Sequence, residues 1–277
     1  MKKIIALLTI SIMLVLFVSC GNGSEETTTT TEPSTHSQEQ LTDTETTLST
    51  ETESSTDAKE TTHESTTEAK STADPSEWTE EEIIEFYKNA AKKSHPNAKS
   101  NQVMVLSELI INDGDGALGF FIKILEPAIA AVIEKNAFDF DGITGGFTNL
   151  TASDAKNIKA YKSGEYTVIE MTMKEQSDGI HADAYAGSVG HAITVLGDIS
   201  KVLAEFPQFN VDVENADIVV RYVNPTVKVK INKDGFIEKG TWKYTCDPII
   251  KNLDISGIMI RKADAKIDYI ITVGGGF

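Results

Sequence analysis

From residue 21 to residue 77 the chain holds only two large apolar residues, Leu41 and Leu48. The same stretch has eighteen threonines and fourteen Asp or Glu, against Lys59 and Lys70 as its only Lys or Arg. So little apolar surface cannot offset the entropy of ordering, which predicts a disordered tether there. Folding is therefore left to residues 78–277, about 200 residues, enough for one domain with a substantial core. The tether carries −12 of the chain's −17, and with Lys2 and Lys3 ahead of it the remainder stands near −7. Like charges keep such a segment extended, and as an unbiased coil it spans roughly 40 Å. The acidity thus belongs to the tether. Neither part offers the basic patch that nucleic-acid binding requires.

Ahead of the tether, Lys2 and Lys3 precede an apolar run from Ile4 to Val18, interrupted by Thr9 and Ser11. The run is too short for a spanning helix and reads as a secretory signal. It ends Phe17-Val18-Ser19-Cys20-Gly21. A small residue directly before a cysteine at this point resembles the lipobox of bacterial lipoproteins, with Phe17 where such signals usually carry Leu. The resemblance covers the first 21 residues. It implies cleavage before Cys20, a thioether-linked diacylglycerol on its sulfur and an N-acyl chain of the palmitate type. Two acyl chains suffice for stable anchoring, at about 0.8 kcal/mol per buried methylene. The alternative is an ordinary signal cut elsewhere, with Cys20 incidental. The implied address is extracytoplasmic, lipid-anchored at the membrane of a Gram-positive bacterium. The organisation is then 1–19 signal, 20–77 acylated Cys20 and tether, 78–277 a single extracytoplasmic domain.

The domain's start is marked by Trp78-Thr79-Glu80-Glu81-Glu82-Ile83. Thr79 and Glu82 have capping-box spacing, and Trp78 and Ile83 that of a hydrophobic staple. Ile83, Phe86, Tyr87, Ala90 and Ala91 form one helical face, ending near Lys93. Val103, Val105, Leu109 and Ile111 alternate weakly and predict a strand. Residues 117–135 are apolar on nearly all sides, and Pro127 splits them into a kinked helix or two short ones. Strands at 155–161 and 165–174 flank Lys162-Ser163-Gly164. Val189, Ala192, Ile193, Leu196, Ile199, Leu203 and Phe206 make the stripe of one helix opened by Ser188. Strands follow at 217–222 and 227–231. Asp234-Gly235 signals a two-residue hairpin into a strand with Trp242, Tyr244 and Cys246 on one face. A last strand puts Met259, Ala263, Ala265, Ile267, Tyr269, Ile271 and Val273 on one side. The fold class expected is α+β: an antiparallel sheet of about six or seven strands, one face solvated, with about three helices packed on the other.

Chemistry is sparsely signalled. Asp113-Gly114-Asp115-Gly116 and Asp139-Phe140-Asp141-Gly142 lack acidic residues at the first and last positions of a calcium loop. Asp178, His181, Asp183 and His191 cluster loosely in sequence, and His with carboxylate suits first-row metals. Of these, His181, Asp183 and His191 are weak metal candidates, since their spacing matches no signature. His191 and Asp198 would share one helix face. Cys246 lies among apolar residues of its strand and has no histidine at a nucleophile's spacing. No catalytic residue, metal or free cofactor is assigned.

A non-catalytic binding module is therefore the leading expectation. The apolar surplus of 117–135 predicts a hydrophobic pocket lined by Leu118, Phe121, Ile122, Leu125, Ile129 and Val132. A helix simply central to the core accounts for it more readily. A curved sheet so covered resembles, in architecture alone, lipid-carrying lipoproteins with a half-barrel cavity. The alternatives are an adhesive envelope protein binding anionic wall polymer through Lys228, Lys230, Lys239 and Lys243, and a metal-dependent enzyme built around residues 178–191.

Overall fold

Thr79 opens the first helix by the reciprocal bonds its sequence predicts. A computed structural model describes residues 74–111, 127, 138–204, 211–255 and 258–277. In it the Glu82 amide donates to the Thr79 hydroxyl (3.2 Å), and the Thr79 amide donates to the Glu82 carboxylate (2.9 Å). Helix α1 spans Glu80–Ser94 and buries Ile83, Ile84, Tyr87, Ala90, Ala91 and Ser94. Trp78 lays its ring against Phe86, with centroids 4.8 Å apart. The segments 112–126, 128–137 and 205–210, with Leu118, Phe121, Ile122, Leu125, Ile129, Val132 and Phe206, lie outside the described residues, as do Cys20 and the rest of residues 1–73, where the tether is expected.

Among the described residues, nine strands form one antiparallel sheet. They are β1 (Lys99–Ile111), β2 (Phe138–Asp141), β3 (Ala155–Ser163), β4 (Tyr166–Met173), β5 (Gln176–Asp178), β6 (Val211–Asp212), β7 (Asp217–Ile231), β8 (Ile237–Ile255) and β9 (Ile258–Val273). The order is β2-β1-β9-β8-β7-β4-β3, with β5 paired to β7 and β6 to β8. Two further α-helices are described, α2 (Gly187–Ala192) and α3 (Ile199–Ala204). The class is α+β, but the sheet exceeds the six or seven strands expected. The strands without a sequence signal are β2, β5 and β6, at four, three and two residues. So few residues hold no readable alternation.

One sheet face is the core. Successive rungs across β1, β9, β8, β7, β4 and β3 read Ser100, Val273, Gly240, Val229, Ile169, Ala160, then Gln102, Ile271, Trp242, Val227, Met171, Ile158. Helix α1 reaches this face: the Trp242 indole donates to the Tyr87 hydroxyl (2.9 Å), and the Ile237 amide to the Ser94 hydroxyl (2.8 Å). The opposite face carries a polar rung running Lys159, Glu170, Lys228, Thr241, Thr272, Asn101, Asp139.

Bulges keep apolar residues on the core face where sequence parity changes. Buried residues of β7 are Ile218, Val220 and Tyr222, then Pro225, Val227, Val229 and Ile231. Between Val223 and Thr226 the register shifts by one, Asn224 and Pro225 spanning the place of Tyr244, and Asn224 takes φ +54°. An extra residue flips the pleat, so both halves present their apolar sets inward. Ser107 does the same in β1. Ser100, Gln102 and Met104 are buried before it, while Val103 and Val105 are half-buried on the other face. That offset is why β1 alternates weakly in sequence.

Two local expectations are corrected. The β7–β8 hairpin has a three-residue loop, 233–235: the Asn232 amide donates to the Phe236 carbonyl, the Gly235 amide to the Asn232 carbonyl, and Gly235 sits at φ +78°. This is a turn closed by a left-handed residue. The single helix expected over 188–206 is instead α2 and α3, separated by residues 193–198. Gly197 (φ +75°) and Thr194 (φ +135°) break it. Surrounding bonds hold the break: the Val195 amide to the Ala184 carbonyl, the Ile199 amide to the Ile180 carbonyl, and the Leu196 amide to the Tyr222 hydroxyl. The stripe is still buried at Val189, Ala192, Ile193, Leu196 and Ile199. An irregular segment can turn apolar side chains inward once its polar backbone is satisfied.

Candidate functional site

The breaking of that helix decides the fate of the histidine cluster. His191, on α2, faces the 3₁₀ turn Ala152–Asp154, and its Nδ1 lies 3.1 Å from Asp154 Oδ2. Burial pushes the Asp154 carboxyl up. The Thr151 amide, the bond with His191 and the Thr151 hydroxyl outweigh it and hold it below the ordinary range. The Ser188 hydroxyl donates to the other Asp154 oxygen (3.3 Å). His181 instead forms a strand-like bridge with Asp198, Nδ1 to Oδ1 3.3 Å, while its Nε2 lies 3.8 Å from Glu214. Asp198 is lowered chiefly by the Ser200 hydroxyl (2.6 Å). Asp183 accepts from the Tyr185 amide (2.9 Å). Asp178, pushed up by burial, accepts from Gln176.

His181, Asp183 and His191 are therefore not brought together; each has its own partners. Nor do His191 and Asp198 share a helix face. No three His, Cys, Asp or Glu side chains among the described residues converge as metal ligands. The pairs act structurally, tying the 179–186 loop and α2 to neighbouring turns.

The lysine stripe is partly spent inside the sheet. Lys228 pairs with Glu170 (3.0 Å) and lies over the Phe277 ring, and Lys230 lies 3.9 Å from the Tyr166 centroid. Lys159 chiefly (2.7 Å), with Lys228 and the Tyr161 hydroxyl, holds the Glu170 carboxyl down at about 2. Lys239 and Lys243 are exposed.

A different arrangement is unusual, and it lies on the core face. Tyr222, Tyr244 and Tyr269 come from β7, β8 and β9, and all three are buried. Tyr244 stacks on Tyr269, its register partner, with centroids 4.8 Å apart and planes at 9°. Tyr222 meets Tyr244 edge-on at 5.3 Å. The Tyr269 hydroxyl donates to the Gln102 side-chain carbonyl, and the Tyr222 hydroxyl accepts from the Leu196 amide (3.1 Å). The Tyr244 hydroxyl has no partner, and among the described residues it is the one fully buried side-chain polar atom so placed. Burial pushes the Tyr244 and Tyr269 phenols well up, so both stay protonated. Cys246, two residues from Tyr244 on the same face, is buried and its thiol is raised for the same reason. A protonated, enclosed thiol is a poor nucleophile.

Alternation along each strand turns each tyrosine inward but does not show their meeting, which depends on the register of three strands. Gln102 is hidden in the sequence by the apolar Val103 and Val105 near it. No family model, no curated protein and no solved structure matches the chain.

Proposed function

We propose that the chain is a lipid-anchored envelope protein that holds a non-catalytic binding domain away from the membrane of a Gram-positive bacterium. The observation that carries this reading is the order Ser19-Cys20-Gly21 at the end of an apolar run, followed directly by 56 residues that cannot build a core. The thiol of Cys20 supplies the nucleophile for acylation. The acidic tether supplies reach, and like charge keeps it off an anionic surface. Residues 78–277 are the part that meets the partner. Their histidines and carboxylates serve as separate structural pairs, which favours binding over turnover. The apolar run 117–135 and the tyrosine-lined core face favour a hydrophobic ligand.

Native mass spectrometry of the full chain extracted from membranes tests both halves. The expected mass begins at Cys20, carries diacylglycerol and shows a further non-covalent adduct. An unmodified Cys20 removes the anchor. A lipidated chain with no adduct removes the hydrophobic ligand and leaves wall-polymer binding through exposed Lys239 and Lys243 as the surviving reading.

A further inference from the structure

We infer that the part of the solvated sheet face around Lys228, Lys230, Lys239 and Lys243 is a docking surface for a phosphodiester polymer of the cell wall. This deepens the wall-polymer reading above. It is independent of the hydrophobic ligand and rests on the proposed envelope address.

Three neighbouring rungs carry the surface. Across β3, β4, β7 and β8 they read Asn157, Thr172, Thr226, Lys243, then Lys159, Glu170, Lys228, Thr241, then Tyr161, Val168, Lys230, Lys239. Five lysines thus share one face with a single carboxylate, Glu170, which Lys159 and Lys228 hold between them. Glu238, at the hairpin beside Lys230, accepts from Asn232 (3.0 Å). Asp268, one rung beyond Lys243, accepts from the Thr245 hydroxyl (2.7 Å). Lys239 and Lys243 are exposed and form no ion pair among the described residues. Toward the other end of the same face the bases are matched: Arg221 with Asp247, Lys251 with Asp217, Lys262 with Asp264, Lys266 with Glu108. Residues 78–277 stand near −7, so the lysine surplus here reverses the sign of the surrounding charge.

The chemistry of the partner follows from this arrangement. The surface is a flat run of strands, so it suits an extended chain rather than a small enclosed anion. Alternate residues of one strand stand about 7 Å apart, so Lys228 with Lys230, and Lys239 with Lys243, meet successive charges of a polymer laid along β7 and β8. Every base in these rungs is a lysine. The guanidinium fork that grips a planar carboxylate is missing, and a mobile ammonium point charge serves phosphate oxygens at any angle. Thr172 and Thr226, on the rung of Lys243, present hydroxyls to the polymer's own hydroxyls. Each contact is weak at an exposed site, and repetition along the polymer supplies the affinity.

The test uses the full chain with Cys20→Ala, so that no acyl chain carries it to a surface. It is titrated by calorimetry with soluble poly(glycerol phosphate), and binding should weaken as salt shortens the screening length. Changing Lys239→Gln and Lys243→Gln together should weaken it roughly twentyfold, about fivefold for each lysine removed. Lys92→Gln, exposed on α1 across the sheet, removes the same charge and should leave the affinity unchanged. Glu170→Gln releases Lys159 and Lys228 and should tighten binding by about fivefold, a gain that misfolding cannot produce. Absence of binding overturns the surface, as does equal affinity of the double variant and the parent. An equal loss in Lys92→Gln overturns it too, since net charge alone would then be read. Unchanged or weaker binding in Glu170→Gln overturns the lysine field as the cause. Tighter binding to phosphatidylglycerol vesicles or to single-stranded oligothymidylate overturns the partner. Polymer binding by a chain whose Cys20 is unmodified in cells upholds the surface and removes the anchor; a lipidated Cys20 without polymer binding does the reverse.

Discussion

Glu170 shows how much a single side chain can concentrate on an otherwise ordinary sheet face. It sits on the solvated face of β4 between Lys159 of β3 and Lys228 of β7, and it also accepts from the Tyr161 hydroxyl (2.9 Å). These partners hold its carboxyl at about 2 against an ordinary 4.5. A carboxyl depressed on folding stabilises the protein above its unfolded value, and that contribution is lost as pH falls through the folded value. Both lysines are substantially exposed, so solvent screens the pairs. Glu170→Gln is therefore expected to cost about 1 kcal/mol at neutral pH. The difference should vanish below about pH 2 and shrink in high salt, as read from urea unfolding of both proteins across that range. A difference that is flat with pH would mean the cost is packing, not charge. At the same scale, Tyr87 and Tyr222 show what a satisfied buried hydroxyl does: one takes the Trp242 indole and the other the Leu196 amide, each pinning a covering segment to the sheet. Tyr244 has the same burial and no such bond.

Among the elements, β7 and β1 owe their faces to single extra residues. The β7 sequence shows its two apolar sets in opposite parity, Ile218/Val220/Tyr222 and Val227/Val229/Ile231. That change of parity marks the bulge in advance, since a regular strand would turn one set to solvent. Asn224 bears the conformation, at φ +54°. Asn224→Gly should be near neutral, whereas Asn224→Val should cost about 1–2 kcal/mol because a β-branched residue resists the left-handed region. Chemical denaturation measures both, and an unaffected Asn224→Val would show the bulge to be held by Pro225 and the flanking pairs instead. The segment from Ser188 to Ala204 teaches the converse. Its stripe is real and its apolar residues are buried to Ile199, but Gly197 and the β-branched run Ile193-Thr194-Val195 weaken the helix. Bonds to Ala184, Ile180 and Tyr222, from segments distant or turned back on the chain, make the broken path the better one.

For the whole molecule, residues 21–77 and 78–277 separate in charge and in composition, and the proposed anchor has its own test. Cys20→Ala should abolish incorporation of labelled palmitate and move the chain from the membrane fraction to the medium, with the unfolding midpoint of the domain unchanged. Retention in the membrane fraction would assign the attachment to something other than the acyl chains. Local pattern was enough to place the helix start at Thr79, the antiparallel α+β class, the polar sheet face and the inward position of each tyrosine. Capping, alternation and apolar content are read within one turn or one strand, so they are legible before any contact is known. Long-range packing had to settle the sheet's full extent, the scattering of His181 and His191 to separate carboxylates, and the meeting of Tyr222, Tyr244 and Tyr269. These depend on register between strands far apart in the chain, where one bulge residue moves every side chain to the other face. Whether a buried hydroxyl finds a partner is likewise settled only when all of its neighbours are in place.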